Sequence, residues 1–443
     1  MSNRRVAGPV SAKPRPRHSA AARRRGVPVT ISGALASGTP RRHRLGLALA
    51  GGGPLGAVYE IGALNALSDC LRGIDLNDID IYVGVSSGAF LAAGLANGIR
   101  PGELSRMFIE SETAAESFDP SILVRPAFRE YARRALSVPP LLVASVWSYF
   151  AGRSHHNSLF ASVQRLGRAI PTGIFDGETI DRYLRKLFTV PGRTNDFRQL
   201  RHQLSLVAVD LDSGATVEFG APGHDHVPIS TAVQASAALP GLFPPVEIEG
   251  RHYVDGALKK TLHASVALRQ GADLVLCINP LVPFDSDTSE RHPSAPERLV
   301  DGGLPAVLSQ TFRSIIHSRM QVGIERYATD YRHANVVLFQ PNKHDAEMFF
   351  TNIFSYSSRR RLAEHAYQKT RQELFQRRHE LGPILARHGI TLDLTAARDP
   401  DRELVRGVKK AARPHGAMAI AAWLTDTLDD LERFIAHRRA QVA

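Results

Sequence analysis

Cysteine is nearly missing from this chain: 443 residues hold two, Cys70 and Cys277, far apart in sequence. That excludes a disulfide-stapled scaffold and a four-cysteine zinc site. Long apolar runs are also absent, and none reaches the ~18–20 residues of a membrane span. The nearest approach, 138–151 (VPPLLVASVWSYFA), is short and opens on a Pro-Pro pair. Two readings of it stay open: a buried helix, or a lipid-facing segment with Trp147, Tyr149 and Phe150 at one end. A third absence is local. The first 44 residues carry eleven Lys and Arg but no Asp or Glu, whereas the remainder is nearly balanced, 44 basic against 43 acidic. The formal charge of +12 therefore belongs to the tail, and a nucleic-acid-binding fold, which concentrates charge on a folded face, is not expected.

Residues 1–44 are rich in Arg, Pro, Ala, Ser and Gly without apolar periodicity, the composition of a disordered basic arm. The stretch Val27 to Ala36 is too broken by Pro28, Thr30, Ser32 and Gly33 for the apolar core of a secretory signal. A transit peptide shares the Arg- and Ser-rich, acid-poor composition, and the arm could also tether the chain electrostatically to an anionic surface. With no signal peptide or span recognised, the expected location is cytoplasmic or peripheral to a membrane.

From Leu45 onward, short apolar runs alternate with helical patterns. LGLALA (45–50), IDIYV (79–83), LSLVAV (204–209), DLVLCI (273–278) and VVLF (336–339) read as buried strands. Val58, Ile61, Leu64 and Leu67 step along one helix face between the first two. Strands separated by helices predict an α/β fold with a mostly parallel sheet. Val246–Glu249 and His252–Val254 read as a hairpin closing at Gly250-Arg251. From about Ser355 the chain turns helical and charged, and 417–438 is amphipathic.

Two glycine clusters carry the chemistry. The first, GGGPLG at 51–56, follows a strand and opens a helix. Literally it satisfies the dinucleotide fingerprint through Gly51, Gly53 and Gly56, but that site also needs an acid at the end of the second strand. Here Asp75, Asp78 and Asp80 precede or open that strand, so no nucleotide cofactor is expected. The other use of such a loop is to aim backbone N–H groups at an anion. The second cluster, Gly84-Val85-Ser86-Ser87-Gly88, is a G-x-S-x-G between a strand and a small-residue helix. That context is a nucleophile elbow presenting Ser86.

A serine nucleophile needs a base. Among 18 histidines, His344 beside Asp345, followed by His365, would suit a Ser-acid-His order. Asp255, in YVDGA at a strand end after the apolar ALPGLFPPV, is the competing base. Its Asp-Gly pair alone would read as a turn. His155, His156, His344, Asp345 and Glu347 show no metal-ligand spacing, so no metal is expected. Met348, Phe349, Phe350, Phe354 and Tyr356 read as core, or as an acyl-pocket lining.

Taken in order, the glycine loop with AVYEIGALNAL, the elbow, AVDLDSG (208–214), ASAALP with FPP (235–245) and Asp255-Gly256-Ala257 resemble the patatin-like phospholipases, over about residues 45–284. The resemblance implies a three-layer α/β fold in a domain spanning 45–340, followed by a mainly helical extension at 341–443. It implies a serine lipid acyl hydrolase working through a Ser86–Asp255 dyad. Gly51, Gly52 and Gly53 would form the oxyanion hole, Gly84 and Gly88 the elbow, and Gly256 part of the acid motif. The substrate would be a lipid ester, with peripheral membrane contact through the basic arm and residues 138–151, and no cofactor. One departure stands out: Leu55 occupies the loop position where the family commonly has Arg or Lys. A weak or inactive patatin-fold lipid-binding scaffold, tethered by its arm, is the alternative that Leu55 favours.

Overall fold

The computed structural model describes residues 30–31, 43–110, 118–136, 170–283, 298–342, 345, 348 and 356–405. Residues 138–151 and 417–438, His155, His156, His344 and Phe349 lie outside them, as does most of the basic arm.

A mixed sheet forms the centre. Its parallel part runs β10 (Asn335–Phe339), β9 (Leu274–Ile278), β2 (Leu45–Leu49), β4 (Ile81–Val85) and β5 (Gln203–Asp210). Antiparallel strands continue it on both sides. The short β1 (Thr30–Ile31) pairs with β10, β6 (Thr216–Phe219) and β8 (Arg251–Asp255) pair with β5, and β7 (Val246–Ile248) pairs with β8. The expected strands are all present, displaced by two residues at most. The hairpin closes through Glu249 and Gly250, both at positive φ (52° and 76°), the twist of a type I′ turn. A separate two-stranded sheet joins β3 (Leu71–Arg72) to β11 (Thr391–Leu392).

The parallel strands read as continuous apolar runs because both faces are buried. Leu47, Leu49, Tyr82, Leu274, Leu276 and Ile278 enter one core cluster. The intervening Ala48, Ile81, Val83, Val275 and Cys277 enter the other. The first side is covered by α1 (Gly53–Cys70), α2 (Ser87–Ala96) and α8 (Tyr356–Gln376), the second by α6 (Ala264–Arg269) and α7 (Gly303–Asp330). The other helices used below are α3 (Pro101–Ser105), α4 (Glu178–Phe188), α5 (Ile229–Ser236), α9 (Arg378–Ala386) and α10 (Leu394–Arg398). Three layers result, and helices of the chain's last hundred residues supply part of one.

α8 seats directly on α1, because a Cβ on Gly62 would stand 2.4 Å from the Ala363 carbonyl oxygen. Arg371 on α8 is buried and donates to the carbonyls of Ala396, Asp399 and Arg402, fastening α10 and the chain beyond it. Among the described residues no helix is long and apolar enough to cross a membrane.

Candidate active site

Strand register brings the two sequence-predicted catalytic residues together. On β5, Val207 pairs with Val85, the last residue of β4. One residue on, Ala208 pairs with Asp255, the last residue of β8. β6 occupies the opposite edge of β5 at both positions, so β8 takes up the edge where β4 leaves it. Ser86, the residue after Val85, thereby turns out of the sheet beside Asp255.

Ser86 has φ 53° and ψ −121°, a backbone state that costs a non-glycine residue roughly 1–3 kcal/mol and persists only where its surroundings enforce it. Several contacts enforce it here. The Ser86 N–H donates to Ser236 Oγ (2.9 Å), whose hydroxyl donates to the Val207 carbonyl (2.6 Å). The Gly88 N–H donates to the Ala50 carbonyl (3.2 Å). A Cβ on Gly84 would sit 2.5 Å from Ala89 Cα, and one on Gly88 would sit 2.5 Å from the Leu49 carbonyl carbon. Both glycines of the elbow are thus required by close approach.

Asp255 is buried, and its Oδ1 accepts from the Ala257 N–H at 2.8 Å. Burial pushes its pKa up to about 6, while the hydrogen bonds from Ala257 and from the Ser86 hydroxyl pull it down. It is therefore a carboxylate at neutral pH, yet a stronger base than an exposed one. Gly256 lets the turn pass under β5, since a Cβ there would lie 2.3 Å from the Val207 carbonyl oxygen.

The three glycines of the loop do different things. The Gly51 N–H donates to the Thr261 carbonyl (3.2 Å), and a Cβ on Gly51 would stand 3.1 Å from Ser86 Cβ. Gly51 therefore sets how near the loop comes to the serine, and its N–H is already engaged. Gly52 caps α1, close enough to Pro280 that a Cβ would lie 2.5 Å from its ring, and Gly53 opens the helix at φ 61°. At the N-termini of α1 and α2 the first N–H groups precede the helical ladder, which begins with Gly56 donating to Gly52 and Ala89 to Ser86, and the helix dipoles add positive potential there. Leu55 packs against the larger core cluster, while its neighbours Pro54 and Ala57 line the cavity described next.

Ser86, Asp255 and the glycine loop open into a cavity of about 760 Å³, within the ~300–1,000 Å³ range of small-molecule sites. Its walls are apolar, with Phe90, Phe108, Phe118 and Phe243 prominent, and Arg313 and Arg359 add two cationic side chains. Burial lowers the Arg313 pKa to about 10.

Of the histidine alternative, Asp345 and His365 are among the described residues and His344 is not. His365 Nε2 lies 2.6 Å from Asp345 Oδ2, and that carboxylate's field reaches Tyr59 on α1, whereas the carboxylate at Ser86 is Asp255. Met348 is core, fully buried in the larger cluster. Among the described residues no three His, Cys, Asp or Glu side chains gather to hold a metal ion. Sequence reasoning gave no role to Ser236, Thr261, Pro280, Arg313 or Arg359. Ser236 lies 150 positions from the backbone it holds, and nothing local marks it.

Among solved structures, the chain is similar to VipD from Legionella pneumophila, with 15% identity, 78% of this chain and 70% of that chain covered, and a TM-score of 0.37. It is also similar to the type III effector protein ExoU of Pseudomonas aeruginosa, with 16% identity, 88% and 74% covered, and a TM-score of 0.27. The family match is to the patatin-like phospholipases and spans residues 47–268, half of the chain. With that match lying over the glycine loop, the elbow and the Asp-Gly turn, the chain belongs to the patatin-like phospholipase family.

Proposed function

We propose that this chain is a serine lipid acyl hydrolase of the phospholipase A, lysophospholipase or esterase type, with Ser86 as nucleophile and Asp255 as its base. One observation carries the reading: strand register sets a serine in a strained elbow beside a buried carboxylate, inside a large apolar cavity. The apolar walls suit an acyl chain, and exclusion of water strengthens every interaction with developing charge.

In this reading Asp255 takes the Ser86 proton as Oγ attacks the ester carbonyl. The N–H groups of Gly52 and Gly53, with the dipoles of α1 and α2, stabilise the tetrahedral oxyanion. Collapse breaks the ester C–O bond, and protonated Asp255 returns its proton to the departing alcohol. Water then attacks the acyl-serine and gives a proton to Asp255. The fatty acid leaves, and Ser86 regains its hydrogen. Because Leu55 packs into the core beside the cavity wall, oxyanion stabilisation rests on amides and dipoles. A non-catalytic lipid-binding scaffold is the reading that Leu55 favours.

Labelling with a fluorophosphonate probe separates the two. The wild type is expected to label and to hydrolyse members of a lipid-ester panel, with Ser86→Ala unlabelled and Asp255→Asn labelling at least tenfold more slowly. A wild type that neither labels nor turns over any ester would leave the scaffold.

A further inference from the structure

The mouth of the Ser86 cavity is rimmed by large apolar side chains that face solvent. Ile174, Leu242 and Phe312 all line the cavity, yet they are 51%, 41% and 44% exposed. Phe312 belongs to α7, and the apolar surface continues outward along that helix. At 100° per residue, Val307, Phe312, Ile315 and Val322 fall within an arc of about 140°, and all four are exposed. The opposite face, with Met320, Ile324 and Tyr327, is buried in the second core cluster. α7 thus exposes four large apolar side chains on an outward face that also carries Thr311, Ser318 and Glu325, more apolar surface than a helix facing only water ordinarily shows.

Within the exposed arc stand Arg319 and Arg326, both exposed. Apolar side chains interleaved with arginines are the composition of a helix lying in the plane of a lipid interface, with arginines at headgroup level. The cavity supplies a second, independent reason. An ester with long acyl chains resides in a lipid surface, and a mouth already rimmed by apolar residues lets it pass from that surface to Ser86 without crossing water.

We propose that the cavity mouth and the outward face of α7 form the surface by which this chain docks on an anionic lipid bilayer, with Ile315 and Val322 inserted among the acyl chains and Arg319 and Arg326 at the headgroups. The assignment rests on reading the Ser86 cavity as a lipid site. It is tested without turnover, so its failure is distinguishable from failure of that reading.

The test is co-sedimentation of full-length Ser86→Ala protein with vesicles of phosphatidylcholine, alone or with phosphatidylglycerol. The background protein is expected to bind, more strongly when phosphatidylglycerol is present. Adding Ile315→Asp with Val322→Asp is expected to lower the fraction bound to pure phosphatidylcholine at least tenfold. The same pair in the Ser86 protein should leave hydrolysis of a water-soluble short-chain ester unchanged. Arg319→Glu with Arg326→Glu, which disturbs no apolar packing, should weaken the preference for phosphatidylglycerol, leaving only the part the basic arm supplies, and spare binding to phosphatidylcholine. Equal binding to phosphatidylcholine by the aspartate variant and its background would overturn the assignment, as would absence of binding to either vesicle. So would a variant that binds vesicles normally but sediments as a smaller species, because the face would then belong to a second copy of this chain.

Discussion

Asp255 is asked to be two things at once, a buried group and a charged one. Burial raises its pKa to about 6, so the fraction available as base falls as pH drops through that value. For a soluble ester, kcat/KM is expected to rise about tenfold per pH unit below 6 and to level off above it. Asp255→Asn should cost about 10²–10⁴-fold in rate and remove the titration. The stability consequence has the opposite sign from that of a salt-bridged acid. Between the ordinary carboxyl pKa near 4 and the native value near 6, the folded chain holds a proton that the unfolded chain has released. Stability contributed by this group is present at low pH and lost as pH rises through 6, by at most about 3 kcal/mol. Asp255→Asn is therefore expected to melt higher than wild type at pH 8, with the difference shrinking towards pH 4. At Gly51 the prediction is steric. A Cβ there would stand 2.9 Å from Ala257 Cβ and 3.1 Å from Ser86 Cβ, between nucleophile and acid turn. Gly51→Ala should slow fluorophosphonate labelling at least tenfold, at an overpacking cost of about 1–3 kcal/mol.

At the scale of elements, the G-x-S-x-G turn was legible because its geometry is local. Gly84, Ser86 and Gly88 lie within five residues of one another, and strand, turn and helix follow in order. The buried strands were legible for a related reason: with helices on both faces, each reads as an unbroken apolar run. What joins the elements was not legible. β5 gives successive residues to β4 and β8, and this handover, which sets Ser86 beside Asp255, is a register among segments that pair across 122 positions (Val85 with Val207) and 47 positions (Ala208 with Asp255). The clamp on α8 is similarly hidden. Its sequence carries arginines at 359, 360, 361 and 371, and only the fold distinguishes Arg371, which is buried and reaches three backbone carbonyls. Arg371→Met would remove the donor to the Ala396 and Asp399 carbonyls, while the Arg402 carbonyl keeps Gln368 Nε2 at 2.7 Å, at about 1–3 kcal/mol for each carbonyl that water cannot reach. A lower melting temperature and faster proteolysis within residues 390–405 are the expected readouts. The packing of α8 on α1 makes a second prediction. In Gly62→Ala the new methyl would lie 2.4 Å from a backbone oxygen and 2.8 Å from Ala366 Cβ, and neither is the end of a flexible side chain. The helices must separate, and α1 carries Gly53 at its N-terminus. Lower stability and lower kcat are expected together in this variant, whereas a surface glycine would change neither.

At the scale of the whole molecule, two sources of affinity for a lipid surface have different physics, and salt separates them. In the proposed docking the basic arm would act through charge. Residues 1–29 carry eight Lys and Arg and no carboxylate, each worth about 1 kcal/mol when close to an anionic surface. That attraction decays over a Debye length of ~8 Å at physiological ionic strength and ~3 Å at 1 M. The outward face of α7 acts mainly through apolar insertion, which salt does not screen. Vesicle binding by the full chain is therefore expected to fall in two stages as NaCl is raised: a steep loss at moderate salt, then a plateau persisting near 1 M. Deleting residues 1–29, which leaves Thr30–Ile31 to pair with β10, should remove the steep stage and preserve the plateau. Ile315→Asp with Val322→Asp should do the reverse, keeping the steep stage and losing the plateau. Co-sedimentation at graded NaCl, with both variants beside the full chain, checks this directly. A single salt-sensitive stage in the full chain would mean that charge alone holds the protein at the surface. The exposed apolar residues of α7 would then contribute nothing to its affinity.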